Sequence, residues 1–347
     1  MQEVKSNVAL AAPGQLVKKD FSKPVSQPIQ KALVTTFAGD GTAGLKDGIA
    51  SAANFKHPLD VVVTADGIVY IADGFNSCVR RIEDGEVVTF AGNGNANIKD
   101  GDGINSRFKI PCRLASDING NLYLSDAADP RIRKITPAGE VSTYAGINLF
   151  GFKDGSVNTA QFGQSFGIAI DAQKNIYITD SQNDCIRKIN CNGFVSTIAG
   201  NYGYINGDIA SIKFYFLKGL VIDKMGNLIV ADFNRIRKIS PEGIVSTIAA
   251  SAIRGSTNES LEKTKFSQIE DLVMDEQGNI YFTENNRIRK LTPQGIISTV
   301  AGSTAGYMDG DAQSAKFNGP KGLTLDKHGN IYVADSNNNR IRKISFE

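Results

Sequence analysis

Along this chain short apolar runs alternate with clusters of Gly, Asn, Asp and Pro, and the alternation itself recurs with a long period. The clearest unit is a strand-like stretch ending in a small residue and an acid: VYIAD (69–73), LYLSD (122–126), IYITD (176–180), LIVAD (228–232), IYFTE (280–284) and IYVAD (331–335). The closing acids Asp73, Asp126, Asp180, Asp232, Glu284 and Asp335 fall 53, 54, 52, 52 and 51 residues apart. Such spacing marks a repeat architecture, in which each copy is one supersecondary unit.

Each copy reads as four strands. An apolar run (DVVVTA in the first copy, GLTLD in the last) leads through an Asp-x-x-Gly-Asn type of turn to the stretch that ends in the acid. A third strand follows (CVRRI, CIRKI or RIRKI), then a Pro/Gly turn such as TPAGE (136–140) and a fourth strand of the VSTYAG kind. Period-2 alternation bounded by turn residues is the strand signature, and four short strands per copy make a propeller blade. The pattern therefore predicts an all-β, six-bladed β-propeller of four-stranded antiparallel blades. The sixth copy stops after its third strand at 341–347, while an orphan fourth strand, VTTFAG (34–39), precedes the first copy. The N-terminal strand should complete the last blade and close the ring, which removes an exposed sheet edge. This divides the chain into a tail, 1–32, and a propeller, 33–347.

These motifs resemble the NHL-repeat family, in the variant with long inter-blade segments of the form AG…DG…A.F..P. Here they read FAGDGTAGLKDGIASAANFKHP (37–58), FAGNGNANIKDGDGINSRFKIP (90–111) and VAGSTAGYMDGDAQSAKFNGP (300–320). The resemblance spans about residues 33–345 and implies the fold. It does not select a function, because the family includes lyases, lactonase-like enzymes, RNA-binding modules and interaction scaffolds.

Residues common to all copies belong to the blade. The closing acids and the third-strand arginines Arg80, Arg133, Arg187, Arg237, Arg289 and Arg342 should pair across neighbouring strands. Phe55, Phe108, Phe162, Phe214, Phe266 and Phe317 should wedge between blades. Function is expected where the copies disagree. Loops carry function on a rigid scaffold, and the longer loops all fall on one face, around the mouth of the central channel. Just before the first strands the side chains differ: His57, Asp60, Cys112, Arg113, Phe166, Lys218, Glu270, Asp271 and Lys321. Apart from Cys112, this mixed-charge set is the candidate ligand-binding rim; the alternative is that the charges bridge one another around a water-filled channel. The loop after the second strand is two residues shorter in blades four and five, which should notch the rim.

Composition narrows the chemistry. The net charge is +2, while residues 1–31 hold five lysines against Glu3 and Asp20, so the propeller is close to neutral. That argues against a basic nucleic-acid groove. No apolar run is long enough to span a membrane, and Val8–Pro13 is too short for a signal-peptide core. The Pro-, Lys-, Gln- and Ser-rich tail reads as a solvated spacer. It suggests a monomeric bacterial module that is exported to the periplasm or cell surface with its signal removed; a cytoplasmic protein is the alternative. Cys78, Cys112, Cys185 and Cys191 match no zinc spacing and read as buried apolar residues. Relatives that hold zinc through several histidines imply no such site here, since the chain has only His57 and His328. Lactonase-like relatives imply a divalent metal held by oxygens; Asp60, Glu270 and Asp271 would have to supply them for Ca or Mg. No nucleophile elbow, Walker loop or dinucleotide motif is present. The expectation is a non-catalytic module, without a cofactor or catalytic residues, that holds a protein, peptide or glycan. A channel-mouth hydrolase or lyase is the second reading, with Glu270 or His57 as base.

Overall fold

The computed structural model describes residues 31–200, 213–250 and 266–346. Six antiparallel sheets are present, and their innermost strands touch in cyclic order, the last against the first. Those inner strands are Asp60–Val63, Pro111–Ser116, Ser165–Ile170, Leu217–Ile222, Ile269–Met274 and Leu323–Leu325. The ring is closed as the sequence predicts. Strand Ala32–Ala38 lies antiparallel to the last strand, Arg340–Phe346, from Ala32 opposite Phe346 up to Ala38 opposite Ile341. The tail falls almost wholly outside the described residues.

Four blades exceed the expected four strands. The inter-blade segment runs down the outer edge and adds a two-residue strand there: Gly48–Ile49, Gly101–Asp102, Gly155–Ser156 and Gly310–Asp311. The corresponding stretches before blades four and five, 201–212 and 251–265, lie outside the described residues.

A bulge recurs at every third-strand arginine, where the ladder to the outer strand slips between residues such as Val79 and Arg80. Bulges twist a strand and re-aim its side chains. In three blades the residue passed over is an aromatic that packs on the second-strand tyrosine: Phe37 on Tyr332, Phe90 on Tyr70 and Tyr144 on Tyr123, with centroids 4.9, 5.1 and 4.9 Å apart.

The six wedge phenylalanines are fully buried, as predicted, and each contributes on the order of 2–3 kcal/mol by leaving water. Phe55 shows the placement: it packs with Val61 and Val69 of blade one and with Ala334 and Ile341 of blade six. A third-strand arginine covers five of these rings, Arg187 sitting 4.9 Å from the Phe162 centroid.

The predicted acid–arginine pairs form in five blades, at 2.8–3.0 Å between buried side chains. Blade two departs from the pattern. Arg133 bonds Asp100 and the carbonyls of Lys99 and Arg107, while Asp126 turns to the backbone N–H groups of Lys109, Ile110 and Ala128. The difference is local: the ladder restarts at Asp129 opposite Asp126 and then shifts register between Asp129 and Ile132, a shift that blades four and five lack although they share the two-residue turn. The turn after the second strand is thus short at blade two as well as at blades four and five, where Asp232 lies opposite Arg235 and Glu284 opposite Arg287 in the ladder.

Cysteine placement also departs in one case. Cys78, Cys112 and Cys185 are buried, but Cys191 is exposed because it sits in the turn between third and outer strands of blade three.

Candidate functional site on the long-loop face

Six equivalent positions meet at the axis where the inner strands begin: Asp60, Arg113, Gly167, Gly219, Asp271 and Gly322. The glycines make room for the charges. A Cβ on Gly322 would stand 1.9 Å from Asp60 Oδ1, and one on Gly219 would stand 2.0 Å from Asp271 Oδ1. Each carboxylate then reaches the following blade: Asp60 Oδ2 accepts from Leu114 N at 2.8 Å and Asp271 Oδ2 from Leu323 N at 3.2 Å.

Arg113 lies across the axis. Its guanidinium donates to the Leu59 carbonyl at 2.8 Å in blade one and to the Glu270 carbonyl at 3.0 Å in blade five, opposite its own blade two. Nε stands 3.8 Å from Asp271 Oδ2. Asp60, Arg113 and Asp271 are all buried. At this level the charges bridge one another, as the alternative expected, and Arg113 ties opposite blades across the axis. An arginine presents a wide, rigid fork of donors, which lets it satisfy acceptors on several blades at once.

A second layer sits at the preceding positions. Glu270 accepts from Lys321 Nζ at 2.8 Å and from Gln268 at 3.1 Å, with Lys218 Nζ 3.9 Å away. The Lys218 ammonium lies 3.5 Å from the Phe166 centroid and 4.8 Å from that of Phe216. Hydroxyls on the preceding blade hold the backbone of this layer. Ser125 Oγ donates to the Phe166 carbonyl, Thr179 Oγ1 to that of Lys218 and Thr283 Oγ1 to that of Lys321, at 2.6–2.7 Å. The signal for these was legible: the residue before the closing acid is Ser or Thr in blades two, three and five and Ala in the others.

Burial and neighbours set the protonation of this cluster. Burial pushes Asp60 and Asp271 upward, against the pull of the Arg113 guanidinium. Burial draws Lys218 down to about 8, although Glu270 beside it works the other way. Glu270 is raised by burial, yet the ammonium groups of Lys321 and Lys218 outweigh that and leave it below the ordinary range.

Of the eight predicted rim residues, seven are brought together: Asp60, Arg113, Phe166, Lys218, Glu270, Asp271 and Lys321. His57 is not joined to them. It stands farther out on blade one, its ring 4.9 Å from that of Phe75 and its backbone N–H bonded to Asn339. Cys112 is buried beside Arg113.

Sequence reasoning missed the aromatic residues of blade four. Phe216 lies 4.8 Å from the Lys218 ammonium; Tyr215 and Phe233 meet edge to face at 5.6 Å, and Tyr215 N donates to Asp232 at 2.7 Å. Exposure of two adjacent aromatics in the inter-blade segment, at 39% and 43%, is the structural mark. In sequence the sign is the run FYF (214–216), whose first member alone follows the repeat.

The oxygen-ligated metal set does not fit this arrangement. The carboxylates of Asp60, Glu270 and Asp271 are taken by backbone N–H groups, Arg113, Lys321 and Gln268, and Arg113 stands among them as a fixed cation. Among the described residues no three His, Cys, Asp or Glu side chains converge as a metal ion requires. A separate groove of about 610 Å³ opens on the opposite, short-turn face between blades four and five, lined by Met225, Ile248, Met274, Glu276 and Leu291.

Residues 317–344 match the family model of the NHL repeat. Human teneurin-4 is 27% identical over 350 aligned residues, which cover 86% of this chain and 12% of teneurin-4. The chain thus spans about an eighth of the length of that relative. An auxiliary nutrient binding protein from Bacteroides thetaiotaomicron superposes with a TM-score of 0.70 at 17% identity, covering 92% of this chain and 77% of the other. A streptogramin B lyase superposes with a TM-score of 0.57 at 13% identity, covering 91% and 98%. Both structural likenesses are likenesses of fold.

Proposed function

Because the chain is an NHL-repeat β-propeller, with one matched repeat and five further blades of the same motif, we propose that it is a non-catalytic binding module. It holds a protein, peptide or glycan on the long-loop face, over the axis that Arg113 crosses. The observation that carries this reading is the concentration of unlike residues on that face. All six blades repeat the wedge and five repeat the buried pair, yet the axial positions and the loops above them differ from blade to blade. The groups that could serve a reaction, Glu270 and Lys218, are held by each other, by Lys321 and by Phe166. Binding in a concave site with a few fixed polar groups is a common use of a propeller face. The nutrient-binding neighbour fits this reading, and the lyase neighbour shows that the same scaffold also carries chemistry.

The test is a screen of the purified chain against immobilised glycans and a displayed peptide library. Binding should be lost on Gln268→Arg at the long-loop face and kept on Met225→Glu at the opposite one. The reverse pattern would move the site to the short-turn groove. A hydrolytic or lyase activity abolished by Glu270→Gln would replace the binding role with the catalytic one.

A further inference from the structure

We infer that the groove between blades four and five, on the short-turn face, binds a small uncharged phenol, whose ring takes the place that a tyrosine fills in the other blades. This site lies opposite the long-loop face and does not depend on the binding role proposed there.

The repeat itself carries the observation. The second position of the strand that ends in the closing acid is tyrosine in five copies, Tyr70, Tyr123, Tyr177, Tyr281 and Tyr332, and Ile229 in blade four. The tyrosines turn toward the following blade, as Tyr70 does in packing with Leu114 and Leu122 of blade two. In four blades the lysine opposite on the third strand sets its ammonium over the ring, 5.2–6.0 Å from the centroid. The phenol hydroxyl reaches the turn aspartate: Tyr177 Oη donates to Asp171 at 3.1 Å and Tyr281 Oη to Asp275 at 3.2 Å.

Blade four keeps these partners and lacks the ring. Lys238 stands opposite Ile229 in the ladder, as Lys188 stands opposite Tyr177. Asp223 holds its turn through Met225 N, Asn227 N and Asn227 Nδ2, just as Asp171 holds Gln173 and Asn175. Among the described residues no hydroxyl reaches Asp223 and no ring lies beneath Lys238. Blade three is the close control, because its outer strand carries Ile198 where that of blade four carries Ile248. The groove of about 610 Å³ opens at this place, lined by Asp223, Ile229, Lys238 and Ile248 of blade four and by Met274 and Leu291 of blade five.

The lining selects its occupant. A π face suits the Lys238 ammonium, an O–H donor suits the Asp223 carboxylate, and the thioether of Met274 favours a ring edge. Three acids, Asp223, Asp275 and Glu276, stand against two lysines in the lining, which disfavours an anionic ligand. A volume of this size lies in the range of small-molecule sites and exceeds one ring, so the phenol has room for a further substituent.

The experiment titrates the full chain with p-cresol, the tyrosine side chain as a free molecule, and with 4-methylanisole, its methyl ether, following the ligand signals by NMR. p-Cresol should bind saturably and about tenfold more tightly than the ether, since only the phenol can donate to Asp223. Ile229→Tyr, which installs the residue of the other five blades, should abolish that binding while the thermal midpoint holds or rises. Lys238→Met, at a half-buried strand position, should weaken it about threefold, and it keeps the test open if Ile229→Tyr folds poorly. Equal affinity for the two ligands, p-cresol binding unchanged in a folded Ile229→Tyr, or affinity unchanged in Lys238→Met would each overturn the inference. So would an absence of p-cresol binding, including the case in which only a tyrosine-bearing peptide is captured at the groove. None of these outcomes bears on the long-loop face, whose test uses other ligands.

Discussion

Two kinds of buried arginine stand in this molecule. Arg187, like its counterparts in the other blades, is fully buried between strands, bonded to Asp154 and Asp180 and to the carbonyls of Lys153 and Gln161. Arg113 is almost as deeply buried, but it lies on the axis and ties three different blades. The first recurs in six copies and the second occurs once. Its singularity follows from symmetry: six arginines cannot share one axis, so whatever occupies it must break the repeat. The same break leaves three glycines, two aspartates and one arginine where the blades would otherwise be alike. Repetition marks the frame, and its failure marks the place where the frame has been adapted.

The contrast can be broken experimentally, beginning with the larger effect. Arg187→Met strips Asp180 of its buried partner, and losing one member of such a pair typically costs about 3–5 kcal/mol. Chemical denaturation should show that loss at neutral pH; a change below about 1 kcal/mol would mean the ladder does not hold the blade.

Arg113→Met should cost less, about 2–3 kcal/mol at pH 7.5, because the two carboxyls it serves can take up protons instead. Both are already raised by burial, and removing the guanidinium raises them further. A carboxyl with a raised folded pKa holds its proton where the unfolded chain has released it, so stability falls as pH rises. The deficit of this variant should therefore shrink on going from pH 7.5 to pH 5. A deficit independent of pH would show that packing, rather than charge, is what Arg113 supplies.

The smallest effect belongs to Lys218→Met. With its folded pKa drawn down to about 8, below an unfolded value of about 10.4, Lys218 makes stability rise as pH climbs between those values. The variant should lack that rise, its thermal midpoint staying level from about pH 8 to about pH 10 while the parent's climbs. Parallel pH profiles for variant and parent would place the Lys218 ammonium in contact with water.

How far the sequence could be read differs between frame and site for a physical reason. The blades, the ring closure at Ala32–Ala38, the wedge phenylalanines and five of the six acid–arginine pairs follow from a pattern written several times over. The exception, Asp126, goes with a register shift between Asp129 and Ile132, which no composition argument reveals. At the site, the repeat register placed Asp60, Arg113 and Asp271 at the channel mouth, but register fixes where a side chain starts and not how far it reaches. Only the three-dimensional distances reveal that Arg113 crosses to Glu270 and that Gly219 and Gly322 are hollows for carboxylates. Phe216 and Phe233 are ordinary apolar letters in an apolar-rich repeat, and their positive φ is visible only in the structure.

One recurrent contact gives the scaffold a further property. In every blade the closing acid takes the backbone N–H of the residue after the wedge phenylalanine: Lys56, Lys109, Gly163, Tyr215, Ser267 and Asn318. The bond is to the main chain, so it is indifferent to the side chain carried there, and lysine, glycine, tyrosine, serine and asparagine all occur. The face thus offers six sockets of identical construction and independent content. Mutation or recombination can rewrite one socket while the other five, and the ring beneath them, stay as they are.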